Sequence, residues 1–97
     1  MHASVRKYKV DPSQIDEVSR RVADTFVPRV SAVSGFVGYY VVDAGNGILI
    51  TVTLGNDPGA VEQSAEIAAE FVRDELSEIE IERVEAAHGE VTVSQTA

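Results

Sequence analysis

The chain has 97 residues and a formal net charge of −8, from 16 acidic and 8 basic side chains. A length near 100 residues is typical of one domain, so we expect a single domain over residues 1–97. The absence of cysteine excludes disulfides and thiolate metal sites, and the negative charge argues against nucleic acid as a partner. No stretch resembles a signal peptide or a membrane span, so we expect a cytoplasmic protein that does not bind membranes.

Charge is distributed unevenly along the chain. Residues 1–48 hold six bases and five acids, whereas residues 49–97 hold two bases and eleven acids. The early bases can meet the later acids within one fold or across a subunit interface, and both arrangements stay open.

The first predicted elements are a strand and a helix. Residues 5–10, VRKYKV, are predicted as the strand. Asp11 and Pro12 then mark a helix start, because Asp is a good N-cap and Pro fits the first helical turn. Pro28 is expected to bend this helix near Asp24. The helix carries an apolar stripe at steps of three or four residues, formed by Ile15, Val18, Val22, Phe26, Val30 and Val33.

Residues 36–54, FVGYYVVDAGNGILITVTL, are predicted as a β-hairpin that turns at residues 43–47, where Gly and Asn tolerate positive φ. A side-chain period of two gives this hairpin two faces. The apolar face consists of Phe36, Gly38, Tyr40, Val42, Ile48, Ile50, Val52 and Leu54. The mixed face includes Tyr39, Thr51 and Thr53. We expect the helices to cover the apolar face and the mixed face to stay open in the monomer.

A second helix follows Asp57 and Pro58, which repeat the start signal of the first helix. Its apolar stripe consists of Val61, Ala65, Ala68, Val72, Leu76 and Ile79, flanked by Phe71. Acidic residues at i,i+4 spacing form a line that we expect to face solvent: Glu62, Glu66, Glu70, Asp74 and Glu78. The alternating residues 90–94 are predicted as the last strand, and residues 80–89 as either its start or a linking arm.

The predicted order is therefore strand, helix, strand, strand, helix, strand. Two β-α-β repeats with right-handed crossovers give a ferredoxin-like α+β fold, with a four-stranded antiparallel sheet and both helices on one face. The uncovered sheet face needs a partner, and a second copy packed sheet against sheet would supply one. The sequence therefore predicts a homodimer through the open sheet face.

These elements resemble the dimeric α/β-barrel superfamily, and within it the small proteins grouped with antibiotic biosynthesis monooxygenases. The likeness is carried by VRKYKVDP, VPRV, SGFVGYYVV followed by ILITVTL, and EQSAEIAAEFV. The resemblance implies a homodimeric barrel with an apolar cavity between the helices and sheet of each subunit. Some members oxidise phenolic or quinol substrates with molecular oxygen and neither metal nor flavin, relatives bind and degrade haem, and many have no established activity.

The chain also departs from the active members of that group. It has no tryptophan, which the monooxygenases and haem degraders use. The haem degraders also use an Asn on the first strand and a His on the second helix. Here the first strand offers Arg6 or Tyr8, and the second helix has no His. We therefore expect no haem, no metal and no other cofactor.

The candidate ligand-binding residues are aromatic. Tyr40 is predicted on the helix-covered face beside Gly38, where the missing side chain leaves space, and its hydroxyl could orient or deprotonate a phenolic substrate. Tyr8, Phe26 and Phe71 could line the same space. The alternative for each residue is an ordinary place in the core. No catalytic residue can be identified from spacing.

Two functions stay open at this point. The first is a dimeric barrel protein that binds a small apolar or aromatic molecule and acts as a cofactor-independent monooxygenase on a phenolic or quinone-like substrate. The second is a non-catalytic dimeric binding or assembly module whose interior is filled by its own side chains. His2 and His88 have no partner evident from their spacing, and we expect both to be solvated.

Overall fold

The structure is a computed structural model that describes all 97 residues. It contains four strands: β1 (His2–Val10), β2 (Phe36–Gly45), β3 (Ile48–Gly55) and β4 (Ile81–Glu90). It also contains two helical segments: α1, which covers residues 12–30, and α2, Pro58–Glu75. Neither helical segment is long and apolar enough to cross a membrane.

The strands form one antiparallel sheet in the order β2-β3-β1-β4. Both helical segments contribute to one hydrophobic core against one face of this sheet. The element order and the strand order are those of the ferredoxin-like plan. The predicted ferredoxin-like α+β fold is therefore confirmed.

Each helical segment begins at the predicted Asp-Pro pair. The Asp11 carboxylate accepts a hydrogen bond from the backbone N–H of Ser13 at 2.9 Å, and the Asp57 carboxylate accepts one from the N–H of Ala60 at 2.9 Å. These carboxylates satisfy N–H groups that have no partner within the first helical turn.

Helix α1 changes its winding along its length. A 3₁₀ turn (Pro12–Gln14) leads into an α-helix (Ile15–Arg21), a π-helical stretch (Val22–Phe26) and a final α-helical turn (Val27–Val30). Pro28 has no N–H to donate to the carbonyl of Asp24, and the wider π-helical stretch lies where that bond would form. Pro28 was expected to bend the helix near Asp24, and the structure shows a change of helical winding at that place.

The predicted stripe of α1 is buried along its whole length. The exposed fraction of its residues runs from 0% at Val30 to 9% at Val22. Phe71 and Leu76 from α2, and Val10 and Leu49 from the sheet, complete the buried cluster. The apolar spacing thus identified the buried side of the first helix correctly.

The two faces of the hairpin are reversed relative to the prediction. Tyr39, Val41 and Leu49 pack against the core, whereas Tyr40 is 59% exposed. From Gly38 to Asp43 the two rows alternate as predicted, but the helices cover the mixed row, because alternation separates the rows without saying which one the core takes. A bulge at the start of β2, where Phe36 pairs with Gly55 and Gly38 with the adjacent Leu54, moves Phe36 alone onto the helix-covered face beside Tyr39.

The sheet face turned away from the helices is apolar along the β2–β3 hairpin and charged towards the end of β1, where Lys7 and Lys9 lie opposite Glu85 and Glu82 of β4, and we call it the open face. Its members include Val5, Tyr40, Val42, Ile50, Val52 and Leu54. Val5 and Val42 are 43% and 47% exposed. The mixed face, which we expected to be open, is the one that the helices cover.

The last strand is β4, Ile81–Glu90: of the two alternatives for residues 80–89, the strand is correct, whereas the predicted continuation over residues 91–94 was wrong. It pairs with β1 from His2 opposite Glu90 to Val10 opposite Ile81. As an edge strand it buries little, and every residue after Ile81 is exposed. Its composition therefore lacks the alternation that marks a half-buried strand.

Ion pairs within the fold join the basic and acidic parts of the chain. Arg21 pairs with Glu78, and Arg29 pairs with Glu70 at 3.5 Å. Arg21 also donates to the backbone carbonyl of Glu75 at 2.7 Å, near the end of α2. Such exposed pairs contribute about 0–1 kcal/mol each. These ion pairs therefore define how the two helical segments are positioned against each other, and they contribute little to the free energy of folding.

Candidate functional site

An apolar cavity lies between the helical segments and the sheet. Its volume is about 60 Å³, and 15 of its 20 lining residues are hydrophobic. The sheet contributes alternate residues of β1, β2 and β3, and α2 contributes its small residues Ser64, Ala65 and Ala68. Small side chains on α2 leave the space open because they do not reach the sheet.

Three of the four predicted ligand-binding residues line this cavity: Tyr8, Phe26 and Phe71. The Phe26 ring lies 5.6 Å from that of Phe71 and 4.9 Å from that of Tyr39, measured between centroids, with the second pair edge to face. Phe26 and Phe71 are each 2% exposed. They therefore form the wall of the cavity, and any ligand-binding role stays a prediction.

Tyr40 does not line the cavity. It lies on the open face, where it pairs with Val52 across the ladder. Its ring covers Gly38, whose missing side chain was expected to leave space for a ligand; a Cβ there would lie 3.6 Å from Tyr40 Cε2. Tyr40 lies in its predicted row with Val42 and Val52, and the predicted placement was wrong because the helices cover the other row.

Tyr39 takes the position that was expected for Tyr40. Burial raises the pKa of the Tyr39 phenol well above its usual range; the Tyr8 phenol adds to this rise, and Arg6 and Thr51 act in the opposite direction. At neutral pH Tyr39 is therefore a hydrogen-bond donor and not a base. Sequence reasoning placed Tyr39 correctly in the mixed row with Thr51 and Thr53 but took that row to be the open one, so Tyr39 was not named as a site residue.

A second, more polar pocket adjoins the cavity beside the start of α2. Its volume is about 310 Å³, and its lining includes His2, Ser4 and Arg6 of β1, His88 of β4 and Glu62 of α2. Ser4 and Arg6 line both spaces. The two spaces therefore meet at these two side chains.

The two histidines form an exposed contact, which agrees with the prediction that both are solvated, but they are also partners of each other. His2 Nε2 lies 3.2 Å from His88 Nδ1, a hydrogen-bond distance. The pair forms because β4 runs antiparallel to β1 and places His88 opposite Ser4. Sequence spacing could not show this contact, because the strands that carry the two residues are at opposite ends of the chain.

The acidic line on α2 faces solvent, as expected, since Glu62, Glu66, Glu70, Asp74 and Glu78 are all exposed. No group of three or more His, Cys, Asp or Glu side chains is placed to hold a metal ion. The groups that line the two spaces include aromatic rings, hydroxyls, an imidazole pair, one guanidinium and the Glu62 carboxylate.

Comparison with models of protein families finds no match, and comparison with curated proteins finds none either. Solved structures do match. The chain is similar to a monooxygenase from the gene ActVA-Orf6 of Streptomyces coelicolor, solved with nanaomycin D, with a TM-score of 0.74 and 14% identity over 99% of this chain and 91% of that chain.

Two further structures match over the full length of both chains. One is a mutant of MhuD with two manganese protoporphyrin IX molecules bound per active site, with a TM-score of 0.76 and 16% identity. The other is a dimeric ferredoxin-like protein from an uncultured marine organism, with a TM-score of 0.75 and 12% identity.

These matches define the structural class first. The chain has a ferredoxin-like α+β fold, which it shares with the matched dimeric ferredoxin-like protein. Within that class it resembles the antibiotic biosynthesis monooxygenase-like proteins, as the sequence predicted. Identities of 12% to 16% show a shared fold, so function has to be argued from the side chains of this chain.

Proposed function

We propose that this protein is a homodimeric α/β barrel that binds a small phenolic or quinone-like molecule between its helices and its sheet. The observation that carries the proposal is the apolar cavity with the buried Tyr39 phenol in its lining. A flat aromatic ring would pack among Phe26, Phe71 and Tyr8, and Tyr39 would donate a hydrogen bond to its oxygen. The matched monooxygenase was solved with nanaomycin D, a ligand that this chain need not share.

In its catalytic form, the proposal is oxidation by molecular oxygen without a metal or flavin. A ring C–H of the phenol becomes C=O, one oxygen atom of O₂ enters the product, and the other leaves as water. The phenol supplies all the electrons. A phenolate is the electron-rich form that reacts, and Arg6 at the edge of the cavity would stabilise its negative charge. Tyr39 would orient the substrate and would not remove its proton.

The homodimer is part of this proposal, and its support is the open face. The accessible surface is 6107 Å², whereas a monomer of 10.4 kDa is expected to have about 5,400 Å². Residues 91–97, which lie outside the regular elements, account for part of this excess. The open face also exposes large apolar side chains, among them Val5, Tyr40 and Val42, and a standard interface covers about 800 Å² on each partner. A symmetric pairing of two open faces would bury it.

A second candidate function is the non-catalytic dimeric module, and one observation favours it. The apolar cavity of about 60 Å³ is well below the roughly 300–1,000 Å³ of typical ligand sites. A ring can enter only if the helices move outward or if part of the ligand occupies the adjoining polar pocket. If the helices do not move and no ligand uses the polar pocket, the protein is a module whose function lies on its outer surface.

A pair of alanine substitutions on α2 separates these candidates. Ala68 lines the cavity, whereas its neighbour Ala69 is exposed on the same helix. We expect hydroquinones to bind the wild-type protein and the Ala69→Leu control, and to lose at least about tenfold in affinity for Ala68→Leu, because the added side chain fills the cavity.

The measurement is isothermal calorimetry with a panel of hydroquinones, joined to oxygen consumption in an electrode cell. Tyr39→Phe should lower oxygen consumption and weaken binding by about tenfold or less, the value of one hydrogen bond. No binding of any panel compound to the wild-type protein would refute the proposal and favour the module. Equal binding to Ala68→Leu and Ala69→Leu would refute the cavity as the site.

A further inference from the structure

Arg6 is a partly buried cation without a carboxylate partner. Six ion pairs form in this acidic protein, and they engage Arg20, Arg21, Arg29 and Arg73 but not Arg6. Arg6 is nevertheless one of the less exposed arginines. A guanidinium removed from water and left unpaired loses solvation without compensation. Its position is therefore suited to an anion that comes from outside the chain.

The groups around Arg6 are mostly hydrogen-bond donors. Ser4 and His2 project from the same side of β1, since they stand two and four residues before Arg6, and His88 reaches the pocket from the neighbouring strand. Serine and histidine can both donate to an oxyanion. Glu62, on the first turns of α2, is the only carboxylate among the lining residues. The pocket thus offers one unpaired guanidinium and several hydrogen-bond donors, with Glu62 as the opposing charge, on a chain whose net charge is −8.

The histidine pair forms a fixed wall of this pocket. The nitrogens are 3.2 Å apart and the ring centroids 5.4 Å apart. Each nitrogen therefore points almost directly at the other ring, which is the arrangement of a shared hydrogen bond. The pair ties the outer edge of β1 to β4 and holds the rings beside Ser4.

The size of the polar pocket matters as much as its charge. At about 310 Å³ it reaches the lower end of the range for ligand sites, which the apolar cavity alone does not. The two spaces share Ser4, Arg6, Val61 and Ala65 as lining. One molecule can therefore extend from the polar pocket towards the aromatic residues of the cavity.

We propose that the polar pocket binds the carboxylate of an aromatic acid, with Arg6 as the principal anchor and the ring directed into the apolar cavity. This inference rests on the proposed function and narrows its ligand to phenolic rings that carry a carboxylate. Arginine suits this role because its planar guanidinium can donate two parallel hydrogen bonds to a carboxylate. Ser4 and the histidine pair supply the remaining hydrogen-bond donors of the pocket. The Glu62 carboxylate disfavours ligands whose own carboxylate would lie beside it.

Three related ligands test the inference. Gentisate is a hydroquinone with a carboxylate, gentisamide is its neutral amide of nearly equal shape, and hydroquinone lacks the substituent. Calorimetry should show gentisate binding at least about tenfold more tightly than gentisamide to the wild-type protein. Arg6→Gln should remove this preference, and Arg6→Lys should restore part of it. Arg83→Gln is the matched control, because it removes the same charge from an exposed arginine that lines neither space.

A second pair of variants leaves Arg6 in place, in case its replacement impairs folding. Glu62→Gln should tighten gentisate binding, because it removes the only carboxylate that lines the pocket. Glu66→Gln, one turn further along α2 and outside the pocket, should leave it unchanged. Thermal unfolding of every variant confirms that it is folded before binding is compared.

The outcomes separate this inference from the proposed function. Equal binding of gentisate and gentisamide to the wild-type protein would overturn the carboxylate site, while the proposed function would stand if binding still required the cavity beside Ala68. An equal loss in Arg83→Gln and Arg6→Gln would also overturn it, since only the overall charge would then matter. Failure of all three ligands to bind would overturn both.

Discussion

Replacing Val42 on the open face with lysine should dissociate the dimer without unfolding the subunit. Val42 is 47% exposed and pairs with Ile50 across the β2–β3 ladder. The face around it is formed by Tyr40, Val52 and other apolar residues. A lysine there would be solvated in the monomer but desolvated, with no carboxylate beside it on β2 or β3, in a sheet-to-sheet dimer.

The magnitude follows from the exposure of the side chain. Burying a whole valine contributes roughly 1.5–3 kcal/mol, so the exposed half contributes about 1 kcal/mol on association. Placing a polar group in the interface costs about 1 kcal/mol or more in addition. Each effect occurs twice in a two-fold symmetric dimer. The total of about 4 kcal/mol raises the dissociation constant about a thousandfold.

Sedimentation velocity over a range of protein concentrations measures this change. The matched control is Val27→Lys, which introduces the same charge at a valine of 36% exposure on the helical side of the molecule. It should leave the dimer intact. A wild-type protein that sediments as a monomer, or a Val42→Lys variant as dimeric as Val27→Lys, would refute the reasoning that the open face is the interface.

Two predictions concern the hairpin turn and the buried phenol. Gly45 and Gly47 both have positive φ, but only at Gly47 would a Cβ lie 2.3 Å from the Val10 carbonyl oxygen. In urea unfolding, Gly45→Ala should therefore lower the free energy of unfolding by about 1–2 kcal/mol, and Gly47→Ala should lower it by at least about 2 kcal/mol more. Equal losses in the two variants would contradict this. The native fold holds the Tyr39 proton more tightly than the unfolded chain, so its contribution to stability is complete below the usual tyrosine pKa of about 10 and is lost as pH rises above it. Tyr39→Phe should flatten the fall of unfolding free energy above pH 10 by up to about 1.4 kcal/mol per pH unit, and a fall as steep as that of the wild type would contradict this.

Local signals predicted the helices and the turn well. Asp11 and Asp57 cap the helical segments as expected, and positive φ at Gly45, Asn46 and Gly47 gives the predicted reversal. These features depend on neighbours within a few residues, so the sequence contains the whole cause.

The face of the hairpin and the position of the last strand could not be predicted in the same way. Alternation shows that two rows lie on opposite sides, but it does not say which row the helices cover. The bulge before Gly38 changed the face of Phe36 only. For the last strand, the choice between strand and linking arm over residues 80–89 stayed open because Ile81–Glu90 is held by pairing with β1 and not by an apolar pattern of its own.

The candidate site was only partly accessible to sequence reasoning because strand pairing assembles it. Tyr8, Phe26 and Phe71 were named as aromatic residues, and they do line one cavity. The contact between His2 and His88 depends on the register of β1 with β4, which no spacing along the chain shows. Such long-range placement appears only once the sheet is complete.

The reversal of the two sheet faces also bears on which function is favoured. The purely apolar face stays outside, where a second copy can bury it, and the helix-covered face carries Ser4, Thr51 and Thr53 into the cavity lining. A module that needs only a filled core would gain stability from valine at such positions, because an inward hydroxyl must find a partner. Ser64 finds one in the Ala60 carbonyl at 2.8 Å, and no buried side-chain nitrogen or oxygen is left unpaired. A polar lining that is maintained on the inside, with the most apolar surface on the outside, favours an interior adapted to a bound molecule over one adapted to packing alone.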